Sequence, residues 1–349
     1  MTPAQPKITL SRSALINNLR HAKETFAPQR VLMMAVKSNA YGHGDELVVP
    51  LALNSGVSEL AVLDIPTALR LRPLAPETPL FAWLLSPTDD FAAAAEAHVE
   101  LGVSARWQLD AIEAAAASEP VTLHLKIDTG LHRNGATWEE WPSLVARAAE
   151  LSEAGVIRVR GVWSHLADTS VDTSRVALQK LRDAVDVANN AGLSPDTIHL
   201  AASHAAVELP EARLDLVRLG ILAYGVSPFD DHTPSDLGFA PVLTLYAQVL
   251  SVSGSELTLG VGFGHGLLRP LEQATVTLGS EDFTLVEMGP ESSTWRAQDG
   301  TPGFAPGEQV ALFGADSAVS VEEWASWCHT IGDEVLAKLS SSLPRTVVD

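Results

Sequence analysis

The stretch VLMMAVKSNAYGHG, residues 31–44, opens as six apolar residues and runs straight into Lys37, with turn-forming residues behind it. A short, bulky run bounded in this way reads as a parallel strand buried on both faces. Outward from it the same unit recurs. Residues 59–63, 80–84, 99–103, 121–127, 157–164, 197–201 and 216–224 read as further strands. Between them lie amphipathic segments at 105–117, 139–154 and 173–191, the last with Asp172-Thr173 as its cap and Gly192 as its stop. Eight strands alternating with helices predict an α/β fold of the (β/α)8 TIM type, although a doubly wound open sheet shows the same alternation.

After Pro228 the pattern changes. Residues 228–237 (PFDDHTPSDL) are polar and carry prolines, as an inter-domain connection does. Strand-like runs follow at 242–252, 255–261, 273–278, 283–288 and 309–313, with one short helix near 322–326. This predicts a barrel over residues 10–235 and a C-terminal β-rich domain over 236–349, with residues 1–9 pairing with the latter.

The chain has 349 residues, 46% of them hydrophobic, enough to bury a sizeable core. Its 43 acidic and 23 basic side chains give a net charge of −20, which repels phosphate backbones and argues against a nucleic-acid partner. No run approaches the roughly 18 apolar residues of a membrane span, and residues 1–10 lack the pattern of a signal peptide. The single cysteine, Cys328, can form neither an intrachain disulfide nor a multi-thiolate metal site. Adjacent Cys328 and His329 face opposite ways on a strand, so no metal is expected there. A reduced, cytoplasmic setting fits this usage.

A lysine closing an apolar strand at a barrel mouth can be desolvated, which lowers its pKa and makes the amine nucleophilic. That is what a Schiff base with an aldehyde cofactor requires, and the Tyr41 hydroxyl lies near enough in sequence to serve such a cofactor's phosphate. The alternative is a lysine that merely snorkels at a strand edge.

AVKSNAYGHG resembles the pyridoxal-phosphate lysine motif of the alanine racemase family. The resemblance continues in order through LHLKIDTGLHRNG, GVWSHLADTS, HLAASHAA, VRLGILAYGVSP and TIGDEVLAKLSSSLPR. It implies a pyridoxal 5'-phosphate barrel followed by a β-domain, acting on a small amino acid such as L- or D-alanine. It further implies that Lys37 forms the aldimine with the cofactor, and that Tyr41, Ser203 and the N–H groups of Gly220 and Ile221 hold the phosphate. Arg218, held by His165, faces the ring nitrogen. Arg133 binds the substrate carboxylate, supported by Lys126, which matches a lysine carbamylated in some relatives. Family members form head-to-tail homodimers in which each β-domain completes the other subunit's site.

Racemisation by two bases needs a proton acceptor on each face of the substrate carbon. In the family a β-domain tyrosine serves the second face. This chain has three tyrosines, Tyr41, Tyr224 and Tyr246, and none follows Tyr246. In GVGFGHG, Phe263 takes the position when aligned without gaps; a gapped alignment deletes the motif instead. His265, two residues on, is a candidate base, as are His204 and water, while a loop histidine among glycines also has a purely structural reading. Asp333 stands where a phosphate-binding tyrosine is usual. Glu281 falls at a substrate-binding position, where its charge repels a carboxylate unless its backbone N–H alone takes part. The alternatives to a racemase are therefore a one-base pyridoxal-phosphate enzyme of other specificity and a non-catalytic pyridoxal-phosphate-binding protein.

Overall fold

The structure, a computed structural model, describes residues 5–115, 117–167 and 170–349. Eight parallel strands close into a barrel: Val31–Ala35, Glu59–Val62, Leu80–Ala82, Val99–Val103, Val121–Lys126, Ile157–Trp163, Thr197–His199 and Leu216–Leu219. The open sheet is thereby excluded. Closure is made by the first strand, which pairs with Glu59–Val62 on one side and Leu216–Leu219 on the other. Helices such as Arg106–Ala114, Trp141–Glu153 and Val171–Asn190 alternate with the strands. Inside the barrel Met33, Ala61, Phe81, Trp163 and Leu216 form a buried cluster, with Val31, Ala35 and Trp83 packed against it. Val31, Met33 and Ala35 share one face because strand side chains alternate.

Two expected boundaries move. The last barrel strand stops at Leu219, and Ile221–Tyr224 is a 3-10 turn rather than strand. The Val171–Asn190 helix begins two residues earlier than expected, because Ser170 Oγ accepts the Thr173 N–H at 3.2 Å and displaces Asp172 as the cap. Its end is as expected, with Gly192 in the left-handed region at φ 89°. Ala116 of the 105–117 segment, residues 168 and 169 of GVWSHLADTS, and residues 1–4 lie outside the described residues.

By internal contacts the chain forms two compact units. One comprises residues 19–37 and 52–220 and holds the barrel; the other comprises 1–18, 38–51 and 221–349. In the second unit an eight-stranded sheet runs Thr275–Leu278, Glu281–Met288, Ser293–Ala297, Glu256–Leu259, Leu243–Ser253, Lys7–Ser11, Arg345–Val348, and Gln309–Gly314 also pairs with Leu243–Ser253. Lys7–Ser11 lies antiparallel to Leu243–Ser253 and parallel to Arg345–Val348. Strands Ser293–Ala297 and Arg345–Val348 and helix Gly332–Lys338 were not expected from sequence. Trp295, Trp324, Phe283 and Phe313 are fully buried in this unit. Among the described residues no helix is long and apolar enough to cross a membrane.

Candidate active site

Lys37 lies two residues past Ala35, beyond the C-terminal end of the first barrel strand. Four basic side chains bear on the half-buried His165: Arg218, Arg133, Lys126 and Lys37. Burial first, and these charges next, push the His165 pKa well down. The ring is therefore a neutral acceptor, and Arg218 Nη2 donates to its Nδ1 at 3.1 Å. The expected pairing of Arg218 and His165 is thus present. Arg218 is itself buried, and its Nη2 also donates to the carbonyls of Ser164 and Leu200, each at 2.9 Å.

Lys126 ends its barrel strand with Nζ 4.5 Å above the Trp163 ring. Burial, then the Arg218 and Arg133 charges, bring its pKa down to about 7. Arg133 rides on the exposed 128–135 loop. That loop is tied back at its base, where Asp128 N–H donates to Ala136 O and Ala136 N–H to Lys126 O, both at 2.9 Å. Within it the Asp128 carboxylate accepts the N–H groups of Gly130 and His132. Ser203 is buried, and the Gly220 N–H donates to its Oγ at 3.1 Å.

Residues 38–41 form an unusual backbone. Ser38, Asn39 and Ala40 have φ of 53°, 55° and 53°, and Tyr41 has φ of 49°, making a left-handed turn without a glycine. Each such residue costs roughly 1–2 kcal/mol, so the surroundings must hold the turn. His43 does so from within: its Nδ1–H lies 3.0 Å from Ala40 O and 2.9 Å from Tyr41 O. Tyr41 is buried against Tyr224, with ring centroids 5.3 Å apart. Ile221 opens the 3-10 turn that carries Tyr224.

In the strand-rich unit the expected groups are differently occupied. His265 closes the Phe263–His265 turn, its Nδ1 accepting the Gly262 N–H at 3.2 Å and its Nε2 3.4 Å from Glu291. Nδ1 is thus engaged by the Gly262 N–H, and Nε2 faces a carboxylate. The structural reading of His265 is the one its geometry supports. The Glu281 carboxylate accepts the Gly303 N–H at 3.0 Å and is turned to a loop of its own domain. Tyr246 donates to Asp316 at 2.7 Å, and burial together with that carboxylate pushes its pKa up to about 12. Phe263 is 44% exposed, with the Arg269 guanidinium 4.8 Å from its ring centre.

Sequence reading did not single out His124, His199, Glu100, Glu59 or Arg160, which form a connected polar system inside the barrel. His199 accepts from Arg218 Nη1 and meets His124 at 2.9 Å, and His124 meets Glu100 at 2.9 Å. The available signal was a charged or imidazole side chain within apolar strands, as in VTLHLK and VELGV.

A closed eight-stranded barrel with a lysine just past its first strand, followed in the chain by a strand-rich unit, is a TIM-type barrel protein with a separate β-rich part. The sequence matches the family model "Alanine racemase, N-terminal domain" over residues 10–228 and "Alanine racemase, C-terminal domain" over 251–347. It is 34% identical to alanine racemase of Streptomyces coelicolor, covering 97% of this chain and 94% of that protein, and 34% identical to that of Frankia casuarinae, covering 90% and 89%. Alanine racemase structures from Streptomyces lavendulae and S. coelicolor superpose with TM-scores of 0.94 at 28% and 30% identity, covering 100% and 99% of this chain and 98% of each of theirs. The chain belongs to the alanine racemase family, a family of pyridoxal-phosphate enzymes, and is an enzyme of the isomerase class.

Proposed function

We propose that this chain is a pyridoxal-phosphate-dependent racemase interconverting the L and D forms of alanine or a similarly small amino acid. The observation that carries this reading is the cluster of Lys37, Lys126, Arg133 and Arg218 around a neutral His165, in a chain whose net charge is −20. So many cations gathered at one barrel end suit anionic ligands, here a phosphate and a substrate carboxylate, and the donor set fits the cofactor.

When bound, pyridoxal phosphate supplies an electron-withdrawing ring that acidifies the α-hydrogen of an attached amino acid. Lys37 would hold the cofactor and exchange a proton at Nζ on one face of the substrate carbon. Tyr41, Ser203 and the Ile221 N–H would hold the phosphate, joined by the Gly220 N–H once it turns from Ser203 Oγ. Arg218 would offer the ring nitrogen a guanidinium that keeps its proton, which disfavours side reactions that need a protonated ring. Arg133, supported by Lys126, takes the substrate carboxylate. At Glu281 only the backbone N–H is offered to substrate, since the carboxylate is engaged by Gly303.

The second face lacks its tyrosine. Tyr246 is held by Asp316 with its pKa raised, and His265 is closed into its loop, leaving His204 and water as proton carriers. A homodimer in the cytoplasm, with an amino acid as the small-molecule partner, completes the reading. The one-base and non-catalytic alternatives find no support among the relatives compared, all of which are called alanine racemase.

Purified protein supplied with the cofactor is expected to acquire a visible absorbance band, lost in Lys37→Ala. Deuterium from solvent is then expected in both enantiomers of alanine. Exchange with strict retention would mean one base, and a colourless protein would overturn the reading.

A further inference from the structure

Four side chains run in unbroken hydrogen-bond contact through the barrel interior: Arg218, His199, His124 and Glu100. Arg218 Nη1 lies 2.9 Å from His199 Nδ1, His199 Nε2 lies 2.9 Å from His124 Nδ1, and His124 Nε2 lies 2.9 Å from Glu100 Oε2. The direction of every bond follows from the two ends. A guanidinium can only donate and a carboxylate can only accept. His199 must therefore accept at Nδ1 and carry its proton on Nε2, and His124 must do the same. A second proton on either ring would place two hydrogens in one N···N gap, so the network assigns both tautomers.

The fold makes room for this chain deliberately. Opposite His124 the strand pairing steps from Leu123↔Val159 to His124↔Gly161, leaving Arg160 as the extra residue of a bulge. A Cβ at Gly161 would come within 2.3 Å of His124 Nδ1, so only glycine leaves space for the ring. The bulged Arg160 donates to Glu100 at 2.6 Å and also pairs with Glu59. Burial raises the Glu100 pKa, but the bond from His124 and the Arg160 charge outweigh it and leave the carboxyl below its usual range. His199 is fully buried, and burial followed by the Arg218 charge pushes its pKa well down. Trp163 stacks on the His199 ring at an interplanar angle of 2°, and Phe81 meets both imidazoles. These rings exclude water from the chain and hold its geometry.

We infer that His199, His124 and Glu100 are positioning residues that fix the orientation and the donor role of Arg218 through a one-way hydrogen-bond wire anchored on the Glu100–Arg160–Glu59 cluster. Arg218 is thereby gripped from both sides: the wire takes Nη1, while Ser164 O, Leu200 O and His165 take Nη2. The activity arm of the test rests on the proposed racemase reading; the spectroscopic arm does not.

In the spectroscopic arm, ¹⁵N-histidine NMR of the full-length protein reads the protonation of each ring nitrogen. Both His124 and His199 are expected as neutral Nε2–H tautomers. A cationic ring or an Nδ1–H tautomer at either position overturns the wire. In the activity arm, His124→Gln and His124→Leu are compared. A glutamine can accept from His199 and donate to Glu100, so it is expected to keep kcat within about threefold. Leucine, of similar bulk, is expected to lower kcat about tenfold at unchanged KM. Equal loss in the two variants, or none in the leucine variant, overturns the positioning role. A wild-type protein with the expected tautomers but no racemisation refutes the proposed function and leaves the wire standing.

Discussion

Arg345 Nε donates to the backbone carbonyl of Gly42 at 2.7 Å, joining two residues 303 positions apart in the chain. Gly42 follows the left-handed turn of residues 38–41, so the C-terminal strand grips the segment that follows Lys37. Arg345 is itself held by the carbonyls of Ser340, Ser341 and Leu343. Arg345→Ala removes the grip and releases a strained turn. Cofactor titration is expected to show affinity reduced about tenfold or more, with Arg345→Lys only partly restoring it, because an ammonium cannot reproduce the planar fork.

Gly42 itself admits no side chain. Its φ is 77°, and a Cβ there would lie 2.1 Å from Leu336 O, a backbone atom of the helix Gly332–Lys338. Gly42→Ala is expected to destabilise the protein by about 2 kcal/mol or more, read as a lower urea midpoint. Gly192→Ala, with open space around its Cβ, is expected to cost less.

His43 gives the acid limb of stability a definite sign. It is fully buried, its Nε2 has no partner among the described residues, and burial brings its pKa from 6.5 to about 4. Between those values the unfolded chain binds a proton that the folded chain refuses, so stability falls as pH drops from 6.5 to about 4 and is flat below. The contribution is on the order of 3 kcal/mol. His43→Gln is expected to flatten that limb in denaturant titrations at several pH values; an unchanged slope would contradict the assignment.

Lys126 acts in a higher window. Its pKa of about 7 against 10.5 unfolded means that stability rises with pH between those values, a slope that Lys126→Met is expected to remove in bicarbonate-free buffer. Near neutrality about half the amines are uncharged, and an uncharged amine adds to carbon dioxide with release of one proton to form a carbamate. Labelled bicarbonate is expected to give a ¹³C carbamate resonance that Lys126→Arg abolishes.

Phe263→Tyr tests the vacant second face. The ring is 44% exposed, so a hydroxyl adds little packing cost, and Arg269 beside it favours the phenolate. Racemisation is expected to rise; an unchanged or lower rate would show that position 263 is not the slot.

How much of this was legible in the chain differs by element. The barrel strands were readable because burial on both faces forces continuous apolar runs, as at residues 31–36. The place of Lys37 was readable because the apolar run at 31–36 leads straight into it. Segment 216–224 was misread in part: after Leu219 the apolar run continues but the backbone tightens into a 3-10 turn, and hydrophobicity alone does not distinguish the two. Ser170 was overlooked as a cap because Asp172 is an equally good capping residue by type.

The sequence by itself determined the eight barrel strands and the place of the lysine after the first of them, since each rests on neighbours within a few residues. Only the tertiary structure decided the company that Arg218 keeps. His199, His124, Glu100 and Arg160 come from four different strands, and the pairing of those strands side by side brings them within hydrogen-bond reach. It likewise decided that His265 is a loop closure and that Gly161 is a space for a ring, because lone pairs and clearances belong to contacts between distant segments.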